Sequence, residues 1–509
     1  MLAYPFGYDQ AAFMVAGEMG IKHGAVTYRD FLDTKPPLIF VIYGLASVIF
    51  GHHEWSIRAF DILYHIASLL VLYKVFKRVL ADETVAFASV ILYVFFYVTS
   101  GYWMTAQAET FALLPAVLLF SATESAIRGK SPLKNGLIAG LFAAILFLLK
   151  FTFLMVPAAS VLYVILAPQA EERDSKSRYI LGFILGLVAS VGLYATYLLS
   201  TGAYDRFMES LKWLIDYSAI NPLLSYDTII NRFFKIFPIG LMVSFGLSSL
   251  LIGAIGIYSC RSKLQHSSRA YIHLGLQLGF GLLAVVYERK FFPYHYSRAY
   301  WAFVPFMAVG LLKVGRRINE QMRDTRPKSI SQKIIGYGVL VTTVLSALFF
   351  SPVPRIISQP IHWVYAQLSG QDVGKSVEDS YNKYFYKEQI TLADTLSKTM
   401  QPTDQIFLWG NSVGLYFRTG KYPTTICLTN TPFVSPWTPA SWKQAVISSL
   451  QRTPPKIFIS EIGDDRAYIT GDTLDSWQHL QQWSELKTFV ETNYTERPTI
   501  GHFRIFERK

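Results

Sequence analysis

The chain has 509 residues, 52% of them hydrophobic, 15% aromatic and only 16% charged. So much apolar surface cannot be hidden in one water-soluble core, and part of the chain must use lipid as its solvent. The formal net charge of +12 does not indicate nucleic acid, because Lys and Arg fall in short loops between apolar runs, the mark of cytoplasmic loops in membrane proteins.

In chain order, the opening MLAYPFGYDQAAFMVAGEMG lacks the basic stretch and apolar run of a signal peptide. YRDFLDTKPPLIF then places Asp30, Asp33 and Lys35 beside paired prolines, downstream of Asp9. The run PPLIFVIYGLASVIF (36–50) predicts a juxtamembrane helix at, or dipping into, the outer interface. Its ProPro start suits a first helical turn, where proline costs no intrahelical bond. If this run spanned the bilayer, the sidedness of every later basic loop would invert. Hydropathy then gives about ten spans. They fall within 56–78, 82–100, 109–127, 134–149, 151–167, 179–199, 239–258, 271–287, 299–312 and 334–350.

Basic segments at 74–78, 128–134, 171–178, 260–269 and 313–328 mark the cytoplasmic side. Residues 1–55, 101–108, 200–237, 288–298 and the tail from 352 are therefore expected outside. Lys150, in LLKFTFL, is expected at the outer boundary. AYDRFMESLKWLIDYS (203–218) reads as an amphipathic outer helix with Trp213 at the interface. Cys260 and Cys427 fall on opposite sides and have no metal-ligand spacing, so no disulfide is implied. From Gln371 the text turns soluble. Strand-length runs DQIFLWG (404–410), PKIFISEIG (455–463) and FRIFERK (503–509) alternate with helical TLADTLSKTM and WSELKTFVETNY (483–494), predicting a small α/β domain outside the membrane. WGNSVGLYFRTGKYP lacks GxGxxG and Walker spacing, which leaves acceptor contact or packing rather than a nucleotide loop.

Four pieces carry a family likeness: YDQ with Asp9, then DTKPPL, then Glu109 in AQAETFALL, then FFPYHYSRAYWAFVPF. In this order the chain, over roughly residues 1–350, resembles the GT-C glycosyltransferase superfamily. Within it the best match is to bacterial relatives of protein O-mannosyltransferases and lipid A aminoarabinose transferases. The resemblance implies an α-helical polytopic membrane protein; with the hydropathy, charge and composition read above, the chain divides into an outer catalytic loop with juxtamembrane helix (1–55), a transmembrane bundle (56–351) and an extracytoplasmic α/β domain (352–509). It implies transfer of a sugar from a polyprenyl-phosphate-linked donor to a lipid, glycan or protein acceptor on the outer face of the cytoplasmic membrane; membrane lipids are the expected surroundings, and the charge pattern points to no nucleic-acid partner. Asp9 matches the candidate base and Lys35 the lysine that faces the lipid phosphate. Asp33 would orient Lys35 or sugar hydroxyls, and Glu109 would line the site, where a divalent cation is left open. His295 is either an aromatic-belt residue or a phosphate or sugar contact, and Arg289, Lys290 and Arg298 suit a phosphate or an anionic headgroup.

Two departures stand out. Gln10 follows Asp9 where many members carry paired acids, and the helix that normally precedes this loop would have to lie upstream of Met1. A secondary transporter, or a catalytically inactive lipid- or glycan-binding relative, is the alternative class, although no convincing internal repeat favours transport.

Overall fold

The computed structural model describes residues 1–2, 4–167, 173–219, 229–261, 268–323 and 384–509. The expected span at 334–350 lies outside them. Two compact units emerge, one of Phe60–Gly192 and Thr228–Ile361, the other of Leu2–Ala59, Leu193–Asp227 and His362–Lys509, each considered over its described residues.

Helices dominate. In chain order, those that precede the sheet-bearing C-terminal region begin with α1 (Tyr8–His23), α2 (Leu38–Phe50), α3 (Glu54–Leu80), α4 (Glu83–Thr99), α5 (Ala108–Phe111), α6 (Leu113–Ile127) and α7 (Pro132–Leu149). They continue with α8 (Met155–Leu166), α9 (Arg173–Thr201), α10 (Tyr204–Ala219), α11 (Ile229–Phe245), α12 (Leu247–Arg261), α13 (Ser268–Glu288) and α14 (Tyr300–Arg323). Among the described residues five helices are long and apolar enough to cross a membrane, or six if the bent pair α11 and α12 is one span. Their outward faces are apolar, with Leu63, Ile66 and Leu70 on α3 and Leu181, Ile184 and Val188 on α9 all exposed, as lipid contact requires. This is a multi-pass membrane protein.

The sequence expectation of one unbroken span at 239–258 needs correction. The helix bends by 89° between Phe245 and Leu247. Gly246 carries the break with φ 77°, a left-handed backbone that a side chain would resist. The 17-residue α4 and the run 151–166, which opens as a 3₁₀ turn, are apolar but shorter than the full-length spans. Within the helical unit, two G-x-x-x-G stretches, Gly136/Gly140 on α7 and Gly182/Gly186 on α9, bring backbones together. A Cβ on Gly136 would lie 2.2 Å from the Tyr179 carbonyl oxygen. Small residues at such a seam let dispersion replace the hydrophobic drive that lipid removes.

In the other unit, α2 has 13 residues, about 20 Å at 1.5 Å per residue, too short to cross some 30 Å of hydrocarbon. It packs on α1 through Phe13, whose ring lies 6.0 Å from Phe40 and 5.3 Å from Tyr43. Trp213 on α10 is buried, its ring stacked 5.2 Å from Tyr217. A four-stranded sheet has order β1-β2-β4-β3, with β1 (Ile406–Trp409) parallel to β2 (Ile457–Glu461) and β4 (Phe503–Arg508) antiparallel to β2 and to β3 (Tyr494–Ile500). Residues 26–32 join this unit directly, since Leu32 N–H donates to the Ile426 carbonyl at 2.8 Å. Cys260 and Cys427 are both buried, and neither is in a disulfide.

Glu18 on α1 is a buried junction. Its carboxylate accepts from Lys22 (2.6 Å), from His52 Nδ1 (2.9 Å), from the Ser47 hydroxyl and from Tyr422 (3.1 Å). Burial alone would push the Glu18 carboxyl up, but hydrogen bonds from His52, Lys22 and Ser47 outweigh it and hold the group at about 2. The bond to Glu18, working against desolvation, raises His52 above its ordinary value, and its Nε2 faces the Phe417 carbonyl oxygen at 2.9 Å. Glu18 thus contributes stability that is present above an ordinary carboxylate pKa, about 4.3, and lost as the pH falls toward its depressed value. His52 contributes stability that is complete below about 6.5 and fades as the pH rises through its raised value. The thermal unfolding midpoint is therefore expected to fall between pH 6 and pH 9, and His52→Gln should flatten that fall. An undiminished slope in the variant would show that the pair does not set it.

Candidate active site

Over its described residues, each unit gathers a group of the side chains singled out in the sequence. In the unit that contains the sheet, the N-terminus of α1 is shaped by Gly7, extended at φ −87° and ψ −177°, whose N–H donates to the Gln10 side chain at 3.0 Å. Gln10, standing where the resemblance leads one to expect a second acid, is fully buried and closes this turn. Asp9 lies in the first turn of α1, where the helix dipole favours a carboxylate. Lys35 Nζ stands 3.5 Å from Asp9 Oδ1, with the two side chains 24% and 13% exposed.

The turn that carries Lys35 is built to hold it. Tyr28, at φ 71°, donates its buried hydroxyl to the Lys35 carbonyl at 2.8 Å, while the Lys35 N–H donates to Asp33 Oδ1 at 2.9 Å. The ammonium lies 4.7 Å above the Phe13 ring. Burial raises Asp33 above the usual carboxylate range, against the pull of Lys35. Asp30 does something else, pairing with Arg29 at 2.7 Å and accepting the Val26 N–H at 2.7 Å to close its own turn. The Arg466 guanidinium lies 4.6 Å from the ring of Tyr8, the residue before Asp9.

In the helical unit, Glu109 is the second residue of α5 and its side chain is 1% exposed. Its Oε1 meets Lys150 Nζ at 2.8 Å and Arg298 at 2.7 Å. Lys150 caps the C-terminus of α7 in an extended conformation, which turns its side chain out of the helix path. Glu288, the last residue of α13, receives Lys150 at 3.1 Å, His295 Nδ1 at 2.8 Å, Arg298 at 2.8 Å and the Thr152 hydroxyl. Arg298 and His295 share the 3₁₀ segment Pro293–Ala299, and Arg298 Nε donates to the His295 carbonyl at 2.8 Å. Burial pushes His295 below its ordinary value, against the pull of Glu288. Arg289 and Lys290 follow Glu288 on a half-buried turn, where Arg289 (φ 59°) and Phe291 (φ 53°) take left-handed backbone.

Glu109, Glu288 and His295 each place one ligand atom within 4.8 Å of the others, the spacing of a metal triad. The donor chemistry does not fit an open cation site, however. Glu109 Oε1 and both Glu288 oxygens already hold the fixed cations Lys150 and Arg298 or their hydrogen-bonding neighbours. Two carboxylates thus face two permanent positive charges, and a divalent ion would enter against them.

Of the residues singled out in the sequence, Asp9, Asp33 and Lys35 come together in one unit and Glu109, His295 and Arg298 in the other. Sequence reasoning passed over Glu288. An acid closing an apolar run, VVYERK, is itself a signal, because such a group must find a partner. Its partners lie as far off as Lys150, 138 residues away.

The chain has the GT-C glycosyltransferase fold, with membrane-length helices in one unit and a small mixed sheet in the other. Residues 34–198, from Thr34 of DTKPPL onward, match the family described as dolichyl-phosphate-mannose-protein mannosyltransferase. ArnT from Cupriavidus metallidurans, in a crystal structure bound to undecaprenyl phosphate, aligns with TM-score 0.61 and 10% identity over 99% of this chain and 94% of its own. Its apo structure gives TM-score 0.59 over the same shares. The apo oligosaccharyltransferase of Archaeoglobus fulgidus gives 0.53 and 11% identity over 99% of this chain and 71% of its own. At these identities the likeness is one of fold. No curated protein matches the sequence. The resemblance to GT-C enzymes read from YDQ, DTKPPL and Glu109 stands.

Proposed function

We propose that the protein is a membrane glycosyltransferase that moves a sugar from a polyprenyl-phosphate carrier to an acceptor hydroxyl on the outer face of the cytoplasmic membrane. The observation that carries the reading is the Asp9–Lys35 pair at 3.5 Å. Glycosyl transfer needs a carboxylate to take the acceptor proton as the new bond forms and a cation to hold the departing phosphate, and this pair offers one of each. In the proposed step the acceptor oxygen attacks the anomeric carbon opposite the phosphate, so the transfer inverts. The anomeric C–O bond breaks with its electron pair going to the polyprenyl phosphate. Asp9 takes the proton and Lys35 neutralises the leaving oxygens, with Asp33 fixing the Lys35 backbone. For the helical unit considered by itself, the same reading keeps His295 and Arg298, flanked by Arg289 and Lys290, as candidate phosphate-facing groups, with Glu109 ordering their charges. No step is routed through a metal.

The sidedness belongs to the same proposal. Basic segments such as 74–78 and 128–134 support a cytoplasmic placement, which leaves residues 1–55 and the C-terminal domain, 352–509, outside. The test is the purified protein in liposomes with a radiolabelled polyprenyl-phosphate sugar. Release of free polyprenyl phosphate, with label passing to an added hydroxyl acceptor, is the expected result. Label carried intact into the vesicle lumen without release would establish a transporter instead.

A further inference from the structure

Asp61 on α3 is an acid with no part in the reading above, although it is fully buried in a membrane-spanning helix. A carboxyl group in that setting is costly and is kept for a reason. Its Oδ2 accepts from the Tyr97 hydroxyl at 2.5 Å, and its Oδ1 stands 3.1 Å from His65 Nδ1. The His65 ring stacks on Tyr97 with centroids 3.8 Å apart, so α3 holds both ends of the tyrosine. The Tyr97 hydroxyl in turn accepts the Ala106 N–H at 3.0 Å and lies 3.3 Å from Thr110 Oγ1. Ala106 is fully buried and has φ 57°, a left-handed backbone that an alanine adopts only when its surroundings impose it. Three residues on stands Glu109, and Thr110 N–H closes the same turn onto the Gln107 carbonyl at 3.0 Å.

From this chain of contacts we infer that Asp61 and Tyr97 form a latch that holds the strained Ala106 turn and thereby sets where α5 presents Glu109 to Lys150 and Arg298. Donation to the carboxylate polarises the Tyr97 hydroxyl and makes it a better acceptor for the Ala106 N–H. The latch is a positioning device and touches none of the charged cluster itself. Plain core packing would predict something different. Tyr97→Phe would then only destabilise the fold, and nothing done at Ala106 could repair the loss.

The inference rests on the glycosyl-transfer reading for its kinetic arm and on amide exchange for its structural arm. Tyr97→Phe, at matched folding, is expected to lower kcat for donor turnover roughly tenfold with the donor KM within about twofold, as misplacement of a site group does. The double variant Tyr97→Phe/Ala106→Gly should recover most of that loss, because glycine takes φ 57° without a tether yet restores no bond to Asp61. Hydrogen exchange of a peptide covering 102–111 should be faster in Tyr97→Phe than in the native protein, whatever the activity. A kcat within twofold of native, or a double variant no faster than the single one, overturns the positioning role. If the native protein turns over no donor, the glycosyl-transfer reading falls. The latch then stands or falls on exchange alone, with unchanged exchange refuting it.

Discussion

Asp9→Asn is expected to lower donor turnover by about 10²–10⁴-fold while leaving binding of the polyprenyl-phosphate sugar close to native, since a general base acts mainly in the transition state. Asparagine keeps the shape of the side chain at the first turn of α1, and the Gln10 bond to Gly7 that forms this turn does not involve Asp9. Lys35→Ala should behave differently. A cation that holds phosphate in both ground and transition states raises the donor KM when lost and slows the reaction as well. The comparison is made at matched folding, because the Lys35 backbone also joins Tyr28 to Asp33 and a loosened turn would reduce yield. Near-native turnover by Asp9→Asn would place the base elsewhere and leave the 3.5 Å pair as a structural ion pair.

What could be read in the sequence follows from where the physical signal is local. Long apolar runs mark helices because lipid forces every backbone group to pair within its own segment, and α3, α7, α9 and α13 match the expected runs to within a few residues at most ends. Ile406–Trp409 and Ile457–Glu461 are buried throughout, which is why DQIFLWG and PKIFISEIG read as strands. β3 gave no such signal. Its residues YTERPTI are mostly exposed, show no apolar alternation and carry Pro498 at an irregularity of register between Arg497 and Ile500. The bend at Gly246 was hidden because hydropathy averages over a window and does not register a change of direction. In the candidate site, Asp9 and Lys35 were legible through their order and spacing with the prolines. Glu18, Asp61 and Glu288 were not. Each is a single acid in apolar text, and its meaning resides in partners such as His52, Tyr97 and Lys150 that only the fold supplies.

The second large effect concerns Glu288. Glu288→Gln is expected to destabilise the helical unit by about 3–5 kcal/mol, the cost of removing one partner from a buried charge network, and to show as a clear drop in the thermal midpoint in detergent. Glu288 is the acid that meets Lys150, His295, Arg298 and Thr152 together. With it neutral, Glu109 faces two cations alone, and one positive charge stays buried without its counter-ion. The effect should therefore depend on charge balance more than on the lost bonds themselves. Adding Lys150→Met to Glu288→Gln removes that excess charge while keeping a long side chain, so the double variant should be more stable than the single one, a coupling that independent sites do not show. A single variant within about 1 kcal/mol of native would mean that water reaches the cluster and screens it. A double variant less stable than either single one would mean that Lys150 holds α7 by contacts other than its ion pairs, and that the balance of charge is not what the cluster maintains.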